Sequence, residues 1–202
     1  MYSTKLGGIA VISGGTLLIV GNAVVMPMLD LEAPFTEMMA SNVYLWRMSL
    51  ASLAVFLLMA GCPSLHAYQA SRSGSFGKVA FSLAFLGCAL LFAHEWAQVF
   101  YVHSLAATAP DALQAMEDAE GINVYDLEAM IVLMTFTTGW IVFSASMLRA
   151  KVFYRLAPIL VIAGFFATPL FTAVTTVKLG GALGNAVLGL GLILLGREVL
   201  RN

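Results

Sequence analysis

Residues 156–200 read LAPILVIAGFFATPLFTAVTTVKLGGALGNAVLGLGLILLGREVL, and from Leu156 to Gly196 the single charged side chain is that of Lys178. Crossing the roughly 30 Å hydrocarbon core of a bilayer takes about 20 apolar residues as a helix. One straight helix over this stretch would rise about 60 Å, twice the thickness available. The stretch therefore reads as two spans, Leu156–Val177 and Leu179–Leu200, joined by a tight turn at Lys178.

The same reading extends outward to the rest of the chain. Leu6–Met28, Val43–Gly61, Val79–Leu105 and Leu127–Leu148 are comparable apolar stretches. Together they predict an all-α integral membrane bundle of six transmembrane helices, forming a single domain over residues 1–202. Composition agrees with that class. Of the 202 residues, 60% are hydrophobic and 10% charged, with a mean hydropathy of +0.91. A soluble domain carries about 25% charged residues, and a chain this poor in charge could not cover its own surface in water. The first run follows Lys5 and could imitate a signal peptide, but its length and the lack of an A-x-A-like cleavage site make it a retained helix. Pro34, Pro63 and Pro110 are expected in loops and Pro158 near a helix start, whereas Pro169 lies mid-span and should bend its helix.

Lysines and arginines in short loops set the orientation. With six spans and a cytoplasmic N-terminus, Lys5, Arg72, Lys78, Arg149, Lys151, Arg155, Arg197 and Arg201 fall inside, and Arg47 and Lys178 outside. The acids segregate the other way. Asp30, Glu32, Glu37, Asp111, Glu117, Asp118, Glu120, Asp126 and Glu128 fall outside, and Glu198 inside. An odd number of spans would scramble this alternation. Both termini are thus expected in the cytoplasm, and with no retention or lipidation signal the expected location is a bacterial inner membrane. The longest loop contains a short stretch, Pro110–Glu120, able to form an amphipathic helix on the outer surface.

Glycines mark expected close contacts between helices. Gly7, Gly14 and Gly21 recur every seven residues, and Gly180 and Gly184 form a G-x-x-x-G pair followed by Gly189, Gly191 and Gly196. Small residues let helices approach closely in lipid, either within the chain or toward a membrane-protein partner or second copy. Cys62 and Cys88 belong to no C-x-x-C pair and read as small packing residues. No basic stripe suits phosphate binding, so nucleic acid is not an expected partner, and the bilayer is.

Ionisable groups inside a membrane are costly and point toward function. The third stretch carries His94, Glu95, Gln98 and His103. Nine residues at about 100° each put the two histidines on opposite faces, about 13 Å apart, so they cannot share a haem or a metal. His66 is expected in a cytoplasmic loop, so no metal site is expected and no cofactor is assigned. Depth is the more useful coordinate. Asn22, His94, Glu95, Gln98, Thr135, Thr138, Thr172 and Asn185 all fall in the outer halves of their spans, and Arg47 enters its span from the outer side. These positions predict an outward-facing polar pocket of His94, Glu95, Gln98, Arg47, Asn22, Thr135 and Asn185, with Arg47 as the counter-charge of Glu95. The competing reading is a polar network that only fixes helix register. Most of the threonines are expected to bond carbonyls of their own helices.

Three functions fit these residues. The first is a non-catalytic accessory or scaffold subunit of a larger membrane complex, docking through glycine-rich faces and acidic loops. The alternative is a small binding or transport protein whose outer pocket holds a cation, a proton or a small amphipathic ligand. An enzyme using His94 and Glu95 comes last, because neighbouring residues on a helix point about 100° apart and would not address one atom.

Overall fold

The computed structural model describes residues 2–118, 121 and 123–201, and Glu120, counted above among the outer acids, lies outside them. The elements in chain order are α1 (Tyr2–Ile19), α2 (Phe35–Ala40), α3 (Asn42–Ala97), α4 (His103–Thr108), α5 (Pro110–Glu117), α6 (Val124–Ala150), α7 (Leu156–Val174) and α8 (Val177–Arg201). No strand occurs among the described residues. Five helical segments, Thr4–Met28, Asn42–Thr108, Val124–Ala150, Leu156–Val174 and Val177–Arg201, are long and apolar enough to cross a membrane, which marks this as a membrane protein.

The longest of these segments is folded back on itself. Gly74 in α3 has φ 57° and ψ −150°, a conformation outside the helical region and closed to side chains bearing a Cβ. Either side of it, the Tyr44 hydroxyl donates to Gln98 Oε1 at 2.6 Å, Phe56 meets Phe92 with centroids 5.6 Å apart, and His66 stacks on Phe81 at 4.6 Å. These pairings run from the far ends to the tip and define two antiparallel arms, 42–73 and 75–97. The segment 62–78 is thus helical on both sides of Gly74, and Pro63 sits within a helix rather than in a loop. The reason is packing. Leu65, Gln69 and Ser73 are buried at four-residue spacing, and Gln69 Nε2 donates to Ser146 Oγ of α6 at 2.9 Å. Hydropathy ends a span where polar residues begin, but a helix continues while its inward face has partners.

The rods form a closed ring. α1 lies against the first arm and against α8, the second arm against α6, and α7 against α8; α6 and α7 touch least. Glycines make the tightest crossings. A methyl group on Gly14 would stand 2.9 Å from the Ala54 carbonyl oxygen in the first arm, and one on Gly15 would stand 2.8 Å from the Gly189 carbonyl oxygen in α8. On Gly191 it would reach Val161 N of α7 at 2.7 Å, and on Gly139 the Leu83 carbonyl oxygen at 2.7 Å. The glycines at these crossings therefore pack within the chain. Cys62 and Cys88 are unbonded thiols in the core, and Trp140 Nε1 donates to Cys88 Sγ at 3.3 Å.

One end of the ring carries the acidic connections, the other Gly74, the link 151–155 and both chain ends. At the acidic end, Ser41 caps α3 by accepting from Tyr44 N at 3.1 Å, and Asn123 caps α6 by accepting from Asp126 N at 2.8 Å. There Leu29, Met39, Tyr44, Met48, Ala106 and Leu113 form a second, smaller core beneath α2, α4 and α5. The turn expected at Lys178 falls earlier, at Thr175 and Thr176, because α7 stops at Val174 and α8 begins at Val177. Lys178 is in the first turn of α8, donating to the Pro27 carbonyl at 3.1 Å.

Candidate functional site

Toward the acidic end the ring encloses a chamber of about 690 Å³ to which all six rods contribute. Its polar lining comes from Asn22 beside α1, Arg47 and Glu95 on the two arms, and Asn185 on α8. Thr137 of α6 and Thr168 and Thr172 of α7 complete it. Leu18, Val55, Phe136, Gly164 and Leu188 close it on the side away from the acidic end. Phe136 and Phe165 meet edge to face at 5.8 Å and join α6 to α7 at that level.

A smaller cavity of about 300 Å³ adjoins it on the side of the acidic loops. Tyr44, His94, Gln98 and Tyr125 line it, together with Met26, Met38, Met39 and Met48. Arg47 and Glu95 border both spaces and stand between them.

The seven residues expected in one pocket are thus divided. Asn22, Arg47, Glu95 and Asn185 face the chamber; His94 and Gln98 line the smaller cavity with Arg47 and Glu95. Thr135 faces neither. It donates to the Ile131 carbonyl of its own helix at 2.7 Å, and Thr137 takes its place. Two residues on a helix differ by about 200° in direction, so depth along α6 says nothing of which threonine points inward.

The expected ion pair between Arg47 and Glu95 is not formed. Arg47 Nε and Glu95 Oε2 are both buried without a hydrogen-bond partner, and the nearest polar contact of the guanidinium is Met48 Sδ at 3.7 Å. By the adjacent Tyr44–Gln98 pairing the two residues stand at about the same level on facing arms, yet they form no ion pair. The asparagines are held differently. Asn22 Nδ2 donates to the Leu18 carbonyl at 3.0 Å and Asn185 Nδ2 to the Gly181 carbonyl at 2.9 Å, which leaves each Oδ1 without a protein donor.

Gln98 organises the smaller cavity. Its Oε1 accepts from Tyr44, and its Nε2 donates to the Tyr125 hydroxyl and lies 3.1 Å from His94 Nε2. An amide nitrogen can only donate, so in this orientation His94 Nε2 accepts and the ring proton resides on Nδ1. Nδ1 in turn faces Glu128 Oε2 at 2.7 Å. Glu128, counted by sequence with the loop acids, is therefore turned back onto the bundle and fixes the imidazole tautomer. Tyr44, Tyr125 and Glu128 carried no functional signal in sequence, since a tyrosine near a membrane boundary reads as an interfacial residue.

Two π-helical turns lie at the same level. One, Val20–Val25, carries Asn22, and the other, Gln98–Val102, begins at Gln98. Such turns widen a helix by one residue and recur at functional sites. No protein-family model, curated protein or solved structure matches this chain, so the functional reading stands on this geometry.

Proposed function

We propose that this chain is a six-span inner-membrane protein, with both termini cytoplasmic, that binds a small amphipathic molecule in the outer half of its bundle. The reversal at Gly74 supports counting the two arms of α3 as separate spans. The basic residues gathered at the end bearing Gly74 and the chain ends support the orientation. An impermeant maleimide applied to whole cells is expected to label Asp118→Cys, while Ser75→Cys reacts after permeabilisation. Both positions are exposed and both native cysteines are buried. The reverse pattern of labelling would invert the orientation.

The observation that carries the binding function is the direction in which the chamber opens. Its exposed lining residues are Leu133 (59%) and Met134 (62%) of α6, with Pro169 and Ala173 of α7. The mouth is thus a side gap between the two least engaged neighbours of the ring, facing lipid tails. Pro169 withholds a backbone N–H in α7 at this level. A mainly apolar chamber with a few polar groups, reached through an apolar gap, suits a molecule with a polar head and an apolar body.

Native mass spectrometry of the chain released gently from detergent tests this. The wild-type protein is expected to retain amphiphile-sized adducts, and Thr137→Trp, which narrows the chamber, to retain fewer while unfolding at an unchanged temperature. A wild-type chain that retains no amphiphile removes the proposal. A stoichiometric protein partner in its place would favour an accessory subunit of a larger complex.

A further inference from the structure

Two ionisable groups of opposite sign face the chamber, and each keeps a buried polar atom that no protein group bonds. Arg47 and Glu95 each bury a polar atom without a partner, on facing arms of one hairpin, and they do not pair with each other. An uncompensated buried charge is strongly destabilising, whereas the same charge with a well-placed partner is tolerated. The other ionic groups nearby are already engaged. Glu128 is held by His94, and Lys178 by the Pro27 carbonyl.

We propose that the head group taken by the chamber is zwitterionic, its anionic part bound by the Arg47 guanidinium and its ammonium by the Glu95 carboxylate with the Oδ1 atoms of Asn22 and Asn185. This inference rests on the chamber binding an amphiphile. A purely cationic head would leave Arg47 uncompensated and repelled. A purely anionic head would do the same to Glu95, and a neutral head would leave both. A head carrying both charges matches the two side chains at once, since both face one chamber without forming an ion pair. The asparagines agree with this polarity. Each spends one of its two N–H donors on its own helix and keeps an Oδ1 that no protein group bonds, an acceptor suited to an ammonium. The lateral mouth assigns the source to the bilayer, and the ligand class is a phospholipid whose head bears one phosphate and one primary ammonium.

The test uses the full chain, delipidated in mild detergent and titrated by native mass spectrometry. The probes are phosphatidylethanolamine, phosphatidylglycerol, diacylglycerol and water-soluble glycerophosphoethanolamine. Phosphatidylethanolamine is expected to bind at least about tenfold more tightly than phosphatidylglycerol or diacylglycerol, the scale of an engaged buried charge pair. Glu95→Gln should abolish its advantage over phosphatidylglycerol, and Asn185→Leu should weaken it without reversing the order. Should Glu95→Gln fail to fold, the wild-type preference and the Asn185→Leu variant decide the matter. Glycerophosphoethanolamine binding as tightly as the lipid would support the zwitterionic head and place its source in water. Equal binding of phosphatidylglycerol or diacylglycerol, or an unchanged preference in Glu95→Gln, overturns the zwitterionic head while the amphiphile-binding function stands. Binding of none of the probes overturns both.

Discussion

Gly189→Leu is expected to separate α1 from α8 and to lower stability by at least about 3 kcal/mol, at the upper end of overpacking penalties. A methyl group on Gly189 would already stand 2.6 Å from the Gly15 carbonyl oxygen and 2.5 Å from Ile19 Cγ1. The contact is reciprocal, since a methyl on Gly15 would stand 2.8 Å from the Gly189 carbonyl oxygen. Seven residues away the arrangement repeats, with 2.6 Å from Gly196 to the Gly8 carbonyl oxygen and 2.9 Å in the other direction. The carbonyl oxygens among these are backbone atoms with no flexible end to yield. In lipid, where no hydrophobic force draws helices together, such close approach supplies much of their association. Thermal unfolding in detergent measures the effect, with Gly21→Ala as the control. A methyl on Gly21 has only Leu50 Cβ nearby, at 3.8 Å, so that variant should unfold close to wild type. Similar losses in both variants would mean that the α1–α8 crossing contributes nothing specific.

Gln98→Leu is expected to cost about 2–4 kcal/mol, although the two side chains are close in size. Gln98 is 2% exposed and bonds Tyr44 across the hairpin, Tyr125 on α6 and His94 on its own helix. Leucine would leave the buried Tyr44 hydroxyl and His94 Nε2 without partners, and unmet polar groups in a membrane interior cost more than the bonds themselves contribute. Tyr44→Phe removes one interhelical bond and strands a single acceptor, Gln98 Oε1, so it should cost about 1–2 kcal/mol, less than Gln98→Leu. Chemical or thermal unfolding of both variants in the same detergent separates the two cases. A Gln98→Leu protein no less stable than Tyr44→Phe would show that the amide does not tie the hairpin to α6.

Much of the candidate site was legible as depth. Asn22, Arg47, Glu95 and Asn185 were each placed in the outer part of a span by counting residues from the span ends, and all four line one chamber. What could not be counted was direction. Thr135 and Thr137 share a depth, yet the inward one is decided by how α6 is rotated against the second arm, where Gly139 meets Ala84 and Gly87 meets Phe136. Arg47 and Glu95 share a cavity but do not pair, and the direction each side chain takes depends on both arms together. Glu128 looked like one more loop acid because charge alone cannot show that His94 draws it back.

The sequence by itself determined that this is an all-helical membrane protein with its basic and acidic residues at opposite ends. Hydropathy and charge are local, additive properties, and a bilayer of fixed thickness reads them directly. The tertiary structure decided that the arms of α3 run on to Gly74, that glycines are spent on contacts within the chain, and that the ring parts between α6 and α7. Those outcomes depend on which faces meet, and facing is set by rotation accumulated along each helix and by the shape of its neighbours, neither of which any single stretch contains.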